Sequence, residues 1–256
     1  MIHSTAIIDP HAKLAGDVSV GAYAVIGGDV EVGPGTTIGS HVVIDGPTRI
    51  GRGNQFFPHS SIGAAPQDKK YAGEATTLEI GDRNTIREFC TLNRGTAQDA
   101  GATRLGNDNW IMAYVHLAHD CQVGNSTIFA NNAQLAGHVH VGDYAILGGF
   151  TVVHQFVHIG AHSLTAMGTI LLQDLPPYVT ASGNTAQPHG INSEGLRRRG
   201  FSATGLARIK SAYKTIYKSG LTLEQARTEI STRAQTEPEL SVLATFLSRA
   251  GRGIIR

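Results

Sequence analysis

The feature that most constrains this chain is a period of six. Ile2, Ile8, Leu14, Val20, Ile26, Val32, Ile38, Ile44, Ile50, Phe56 and Ile62 recur at that spacing without a miss. Glycine often follows, at Gly21, Gly27, Gly33, Gly39, Gly51 and Gly63. The register fails at Asp68 and Glu74, then resumes unshifted at Ile80, Ile86 and Leu92. After a second break it returns one residue late, through Leu105, Ile111, Leu117, Val123, Phe129, Leu135, Val141, Leu147, Val153 and Ile159. Helices repeat at about 3.6 residues and strands at about 2, so neither explains the spacing. A parallel β-helix does. Each hexad is a short strand and a turn, and three hexads close one triangular coil. The aliphatic residue points inward and stacks on its equivalent in the next coil, ~4.8 Å away. No hexad can bury its own apolar residue, so the core exists only through stacking. The chain is expected to be mainly β, with a hexapeptide-repeat β-helix over residues 1–185.

The two breaks read as loops thrown out from the prism, "PQDKKYAGEATT" and "NRGTAQDAGATR". Long loops on a rigid scaffold often carry function. After Pro176, Pro177 and Pro188 the hexads stop, and residues 190–256 form a small α-helical C-terminal domain. Ser202 caps a helix with Leu206, Ile209, Tyr213, Ile216 and Tyr217 on one face, ended by Gly220. Thr222 caps a second with Leu223, Ala226 and Ile230, and Pro238 opens a third with Leu240, Leu243, Phe246 and Leu247. Charge is segregated. The tail holds 12 Lys and Arg against 5 Asp and Glu, and residues 1–189 hold 9 against 15. Arg197, Arg198 and Arg199 are consecutive, followed by Lys210, Lys214 and Lys218. Such a face is either solvated or a dock for phosphates or an acidic partner.

The overall net charge of +1 favours no nucleic acid. Cys90 and Cys121 are too few for a disulfide framework or a thiolate zinc cage, and reduced thiols imply a cytoplasmic setting. "MIHSTAIIDP" has no basic stretch leading into an apolar segment, and no apolar run approaches a membrane span.

Residues 18 apart stack in a β-helix. Asp120 therefore lies under His138, His119 under Gly137 and then Gln155, and His116 under Gln134. None occupies an inward aliphatic position, so His116, His119, Asp120, Gly137, His138 and Gln155 are expected to form one outward polar patch. Surface polarity explains any one histidine. The cluster admits a catalytic reading, in which a carboxylate fixes an imidazole's tautomer and raises its basicity. A glycine N–H one coil away would serve as an oxyanion donor. Zinc on histidines is the rival, but His116-x-x-His119 and the triplet His154, His158 and His162 match poorly the spacing in γ-class carbonic anhydrases.

The segments "HLAHDCQVGN", "NNAQLAGHVHVGD", "VHQF", "IGDRNTIRE", "NRGT", "QDKKYAGE" and "EGLRRRGF" together resemble the UDP-N-acetylglucosamine O-acyltransferases over essentially the full chain. The repeat alone is shared with serine and sugar acetyltransferases. The combination of H-x-x-H-D, V-H-Q-F and E-G-L-x-R-R-G-F is specific. The resemblance implies a left-handed β-helix, against the usual crossover rule, and a cytoplasmic homotrimer with active sites between prisms. It implies transfer of an (R)-3-hydroxyacyl chain from acyl carrier protein to the 3-hydroxyl of UDP-N-acetylglucosamine, the first step of lipid A synthesis. No cofactor or metal is implied, the acyl chain arriving on the carrier's phosphopantetheine.

In that family, His119 matches the general base, Asp120 the residue that orients it, and Gly137 the oxyanion donor. His116, His138, His154 and Gln155 match substrate contacts. Asp68 and Lys70 match residues that reach the sugar and acyl chain. Asn192, Glu194 and Arg198 match nucleotide-binding positions contributed by a neighbouring subunit. Met167 matches the position that closes the acyl groove, where relatives using a myristoyl-length chain have Gly. A preference for the decanoyl over the myristoyl chain is therefore expected. One departure stands out: several relatives carry His in "TIHRGT", and this chain has Asn93, which is neither acid nor base. The N-acyltransferase two steps later shares the prism but carries a uridine-binding domain before the repeat, and here hexads begin at Ile2. A non-catalytic β-helix that binds acidic carrier or nucleotide is the alternative from another class.

Overall fold

The computed structural model describes residues 1–249 and 253–256. Its strands form three sheets of nine, eight and ten strands, parallel except for the last pair of the ten, the faces of a triangular prism. Most neighbours on a face are 18 residues apart, as in Ile128↔Ile146 and Leu117↔Leu135. The result is a left-handed parallel β-helix. From Val20 to Ile159, every hexad residue named above is buried. In the first coil Ile2 is exposed, and Ile8 and Leu14 are half-buried, because no coil stacks beneath them. The register also runs further than expected, through buried Thr165 and Leu171. The first loop, 65–76, matches its sequence break, and the second, 94–101, is shorter than its break because Ala102–Leu105 pairs as a strand with Thr77–Ile80.

One interior edge is polar. Buried Asn54, Asn84 and Asn109 form a ladder. Asn54 Oδ1 accepts from the Asn84 amide and Nδ2, and Asn84 Oδ1 accepts likewise from Asn109. Asn109 Oδ1 accepts from Thr127 N and Oγ1. On the second face, outside, charges alternate up the stack from Lys13 through Glu31, Arg49 and Glu79 to Arg104. Lys13–Glu31 and Arg104–Glu79 close at 2.8 Å.

An antiparallel pair, Val179–Ser182 with Gln187–Ile191, ends the stack. Helices α1 (Ser193–Arg198), α2 (Ala203–Tyr217), α3 (Leu223–Ala234) and α4 (Ser241–Arg249) follow, with a 3-10 turn at Pro238–Leu240. Ser202 caps α2, and Thr222 with Gln225 forms a capping box on α3. The short α1 carries no apolar periodicity and was not foreseen; its signal is Asn192 as cap with Glu194 in the first turn. Helix residues Leu196, Ile209, Ile216, Ile230 and Leu247 bury one face against Tyr178 and Ile254. Ile254 itself bridges back to Asp174 of the prism. Among the described residues no helix is long and apolar enough to cross a membrane.

The corner between the first and second faces concentrates everything that follows. Both loops leave the prism there, and in the next coils the same corner carries His119–Asp120, Gly137–His138 and Gln155–Phe156.

Candidate active site

At this corner His119 Nδ1 lies 2.9 Å from Asp120 Oδ2. A carboxylate only accepts, so Nδ1 carries the proton and Nε2 is free to take another. Nε2 lies over Gly137: a Cβ built on that glycine would meet it at 2.7 Å and Cε1 at 2.5 Å. Any side chain at 137 would displace the imidazole. The 18-residue spacing thus brings base and glycine together as expected.

Asp120 differs from expectation. It is not part of an outward patch but fully buried. The second loop folds over it: Thr96 donates its backbone N–H to both carboxylate oxygens (2.9 and 3.1 Å) and its hydroxyl to Oδ2 (2.7 Å). The Asp120 amide donates to Thr103 Oγ1 at 2.8 Å. Burial pushes the carboxyl up, but the bonds from His119 and Thr96 outweigh it and hold it below its ordinary value. The site therefore contains a fixed, ionised acceptor for the imidazole. Sequence spacing missed Thr96 because a loop contact 24 residues away obeys no coil register.

His138 stacks on Phe156 (4.3 Å between centroids) and meets His119 edge-on (5.0 Å). Its Nδ1 lies 2.7 Å from Asp99 Oδ2, a second-loop residue that sequence reading also missed. His119, Asp120 and His138 each offer a ligand atom within 4.8 Å of the others, a set that could hold a metal ion. Its geometry is already that of a hydrogen-bonded pair, with Asp120 Oδ2 taken by His119 and Thr96.

A cavity of about 770 Å³ joins His119, His138 and Gln155 to Asp68, Lys70, Asp99 and Phe156. Asp68 Oδ1 accepts from the Lys70 amide and shapes the first loop. His116 is turned elsewhere, bonded at Nδ1 to Thr91 Oγ1 (2.7 Å), and burial holds it below the usual histidine range. His154 is exposed, with Nδ1 3.1 Å from the Gln155 carbonyl. Asn93 does not face the cavity chemistry; its Nδ2 donates to the carbonyls of Ala64 and Ala65 at the root of the first loop. Asn192, Arg198 and Arg199 line a separate cavity of about 290 Å³ with Tyr144 and His162, while Glu194 pairs with Arg197 at its edge. Met167 is 78% exposed and sits at another corner of the prism, between the strands Leu164–Thr165 and Ile170–Leu171. Both thiols are buried, Cys90 pushed up to about 11 and Cys121 to about 12, so neither supplies a thiolate.

A hexapeptide prism with an imidazole–carboxylate pair at its corner defines a class, the hexapeptide-repeat acyltransferases. Residues 11–46 and 102–137 match the profile of the bacterial transferase hexapeptide, and residues 174–255 match domain 2 of UDP N-acetylglucosamine O-acyltransferase. The chain is 63% identical to the acyl-acyl-carrier-protein–UDP-N-acetylglucosamine O-acyltransferase of Herminiimonas arsenicoxydans, covering 100% of this chain and 99% of that one. It is 54% identical to the enzyme of that name from Stenotrophomonas maltophilia strain K279a, covering 100% and 97%. Among solved structures, the UDP-N-acetylglucosamine O-acyltransferase of Moraxella catarrhalis aligns with a TM-score of 0.98 at 44% identity over 100% and 99% of the chains. That of Francisella novicida gives 0.99 at 40% over 100% and 94%. The chain belongs to the family of acyl-acyl-carrier-protein–UDP-N-acetylglucosamine O-acyltransferases and is an acyltransferase.

Proposed function

We propose that the protein transfers an (R)-3-hydroxyacyl chain from acyl carrier protein to the 3-hydroxyl of UDP-N-acetylglucosamine, at the head of lipid A synthesis. The observation that carries the reading is the His119 ring, held through Nδ1 by a buried carboxylate with Nε2 over a glycine in an open cavity. The sugar hydroxyl gives its proton to Nε2 as its oxygen attacks the thioester carbonyl carbon. Asp120 stabilises the imidazolium that forms. The Gly137 N–H holds the tetrahedral oxyanion. Collapse breaks the C–S bond, and the imidazolium returns its proton to the leaving sulfur of phosphopantetheine. No acyl-enzyme is required, in keeping with two inert thiols.

Asp68, Lys70, His138 and Gln155 bind substrate from the cavity walls, and His116 and His154, outside the cavity lining, complete the substrate contacts. Asn192, Glu194 and Arg198 of a neighbouring subunit in a homotrimer hold the nucleotide, Arg198 by paired charge-assisted bonds to the diphosphate. The chemistry draws on no cofactor or metal, and both substrates belong to the cytoplasm. The test is an acyl-transfer assay with UDP-N-acetylglucosamine and 3-hydroxyacyl carrier proteins of graded chain length. Ester formation on the sugar is expected; none with any donor overturns the reading.

A further inference from the structure

We propose that Asp99 is a positioning residue for this reaction: it accepts the hydrogen bond from His138 Nδ1 and so leaves His119 as the one imidazole bonded to Asp120. The proposal rests on the reaction proposed above. Two imidazoles stand around one carboxylate oxygen. His119 Nδ1 is 2.9 Å from Asp120 Oδ2, and His138 Nδ1 is 3.8 Å from the same atom. That oxygen also accepts from Thr96 N (3.1 Å) and Thr96 Oγ1 (2.7 Å). A carboxylate oxygen offers about two lone pairs. His119 Nδ1 and Thr96 Oγ1 fill these, the Thr96 N–H having its shorter bond (2.9 Å) to Oδ1, so a further donor would have to displace one of them.

His138 cannot turn away. Its ring is clamped face-on by Phe156 and edge-on by His119, and its backbone N–H is bonded to the His119 carbonyl at 3.0 Å. In this orientation its Nδ1 faces the side where the carboxylates lie. Asp99 Oδ2, at 2.7 Å, is its acceptor. Were Asp99 absent, Asp120 Oδ2 would be the carboxylate oxygen left within 4.0 Å, and His138 would compete for it. The base would then lose its orienting bond for part of the time. The loop that delivers Asp99 also delivers Thr96, so residues 94–101 sort both imidazoles at once. Arg94 holds the root of that loop, through the Gly63 carbonyl and, at 3.2 Å, the Tyr71 hydroxyl.

The test combines kinetics with a proton readout on the full chain. Asp99→Ala should lower kcat about tenfold with little change in KM, the scale of a slightly misplaced catalytic group. Asp99→Asn keeps an acceptor oxygen and should recover most of that loss. With the competing donor removed by His138→Ala, adding Asp99→Ala should change kcat by less than about twofold. Wild-type kcat in Asp99→Ala, or an equal loss in both backgrounds, overturns the proposal. Nitrogen spectra of ¹⁵N-histidine-labelled protein form the second arm. His138 should carry its proton on Nδ1 in the wild type and change state in Asp99→Ala. An unprotonated Nδ1 in the folded wild type overturns the pairing even if no transfer is ever detected. Absent wild-type transfer with an intact Nδ1 signal would instead overturn the reaction.

Discussion

At the Asp120 carboxylate, burial and hydrogen bonding pull in opposite directions, and bonding wins. His119→Ala removes the base and one donor to this carboxylate but leaves the Thr96 bonds in place, so kcat should fall by ~10² to 10⁴, far more than any loss of thermal midpoint would explain; near wild-type turnover would remove His119 from the chemistry. Asp120→Asn should cost less activity than His119→Ala, since the imidazole remains. It should cost stability, because one end of the amide presents donors to donors at Thr96 and His119, about 1–3 kcal/mol. The folded carboxyl titrates below its ordinary 3.8, so its stabilisation is complete above that pH and lost as pH falls through the lower folded value. Urea midpoints of wild type and Asp120→Asn should differ by a constant amount at neutral pH and converge in acid. Under the proposed reaction, exposed Met167 is expected to limit the length of the acyl chain. Met167→Gly should shift donor preference toward longer chains by about 0.8 kcal/mol per added buried methylene, read as a ratio of kcat/KM for myristoyl and decanoyl donors.

The two ladders of the prism separate stability from solubility. Asn84 makes four side-chain bonds inside the prism, two accepted from Asn109 and two donated, to Asn54 Oδ1 and the Gly106 carbonyl. Asn84→Ala strands several of these partners in a buried site and should cost ~2–5 kcal/mol, measured as a lowered urea midpoint at constant slope. Glu31→Gln, in the exposed charge ladder, should leave that midpoint nearly unchanged. The aliphatic stack was legible in the sequence because its spacing is a strict consequence of the coil. The Asn ladder was not, since polar residues are read as outward by default and only the three-dimensional register brings Asn54, Asn84 and Asn109 together. His119, Gly137 and His138 were legible through the 18-residue rule. Thr96 and Asp99 were not, because the loop that carries them leaves the register before it returns to the site. The helix caps Ser202 and Thr222 were visible as local chemistry, whereas α1 is too short to show a periodicity.

The molecule as a whole is an acidic prism with a basic end. Of the tail's cations, Arg197 is engaged by Glu194 and Arg199 lies over the Tyr144 ring. Lys210 and Lys214, four residues apart, are exposed on α2, and an acidic carrier is expected to dock there. Lys210→Glu with Lys214→Glu should weaken carrier binding most at low salt, and the difference from wild type should shrink as salt is raised; a deficit independent of salt would place the carrier elsewhere.

The 18-residue register also limits how such a molecule can lengthen. A duplicated run of 18 residues between two coils would lift everything above it by ~4.8 Å and leave every face facing as before. A run of 6 would turn the upper part by about a third of a revolution. It would carry the capping hairpin, α1 and Arg198 round to another face, while His119 stayed where it was. Length in this architecture is therefore quantised. Growth within a coil must leave the prism as a loop, and in this chain both such loops emerge at the corner that holds the base.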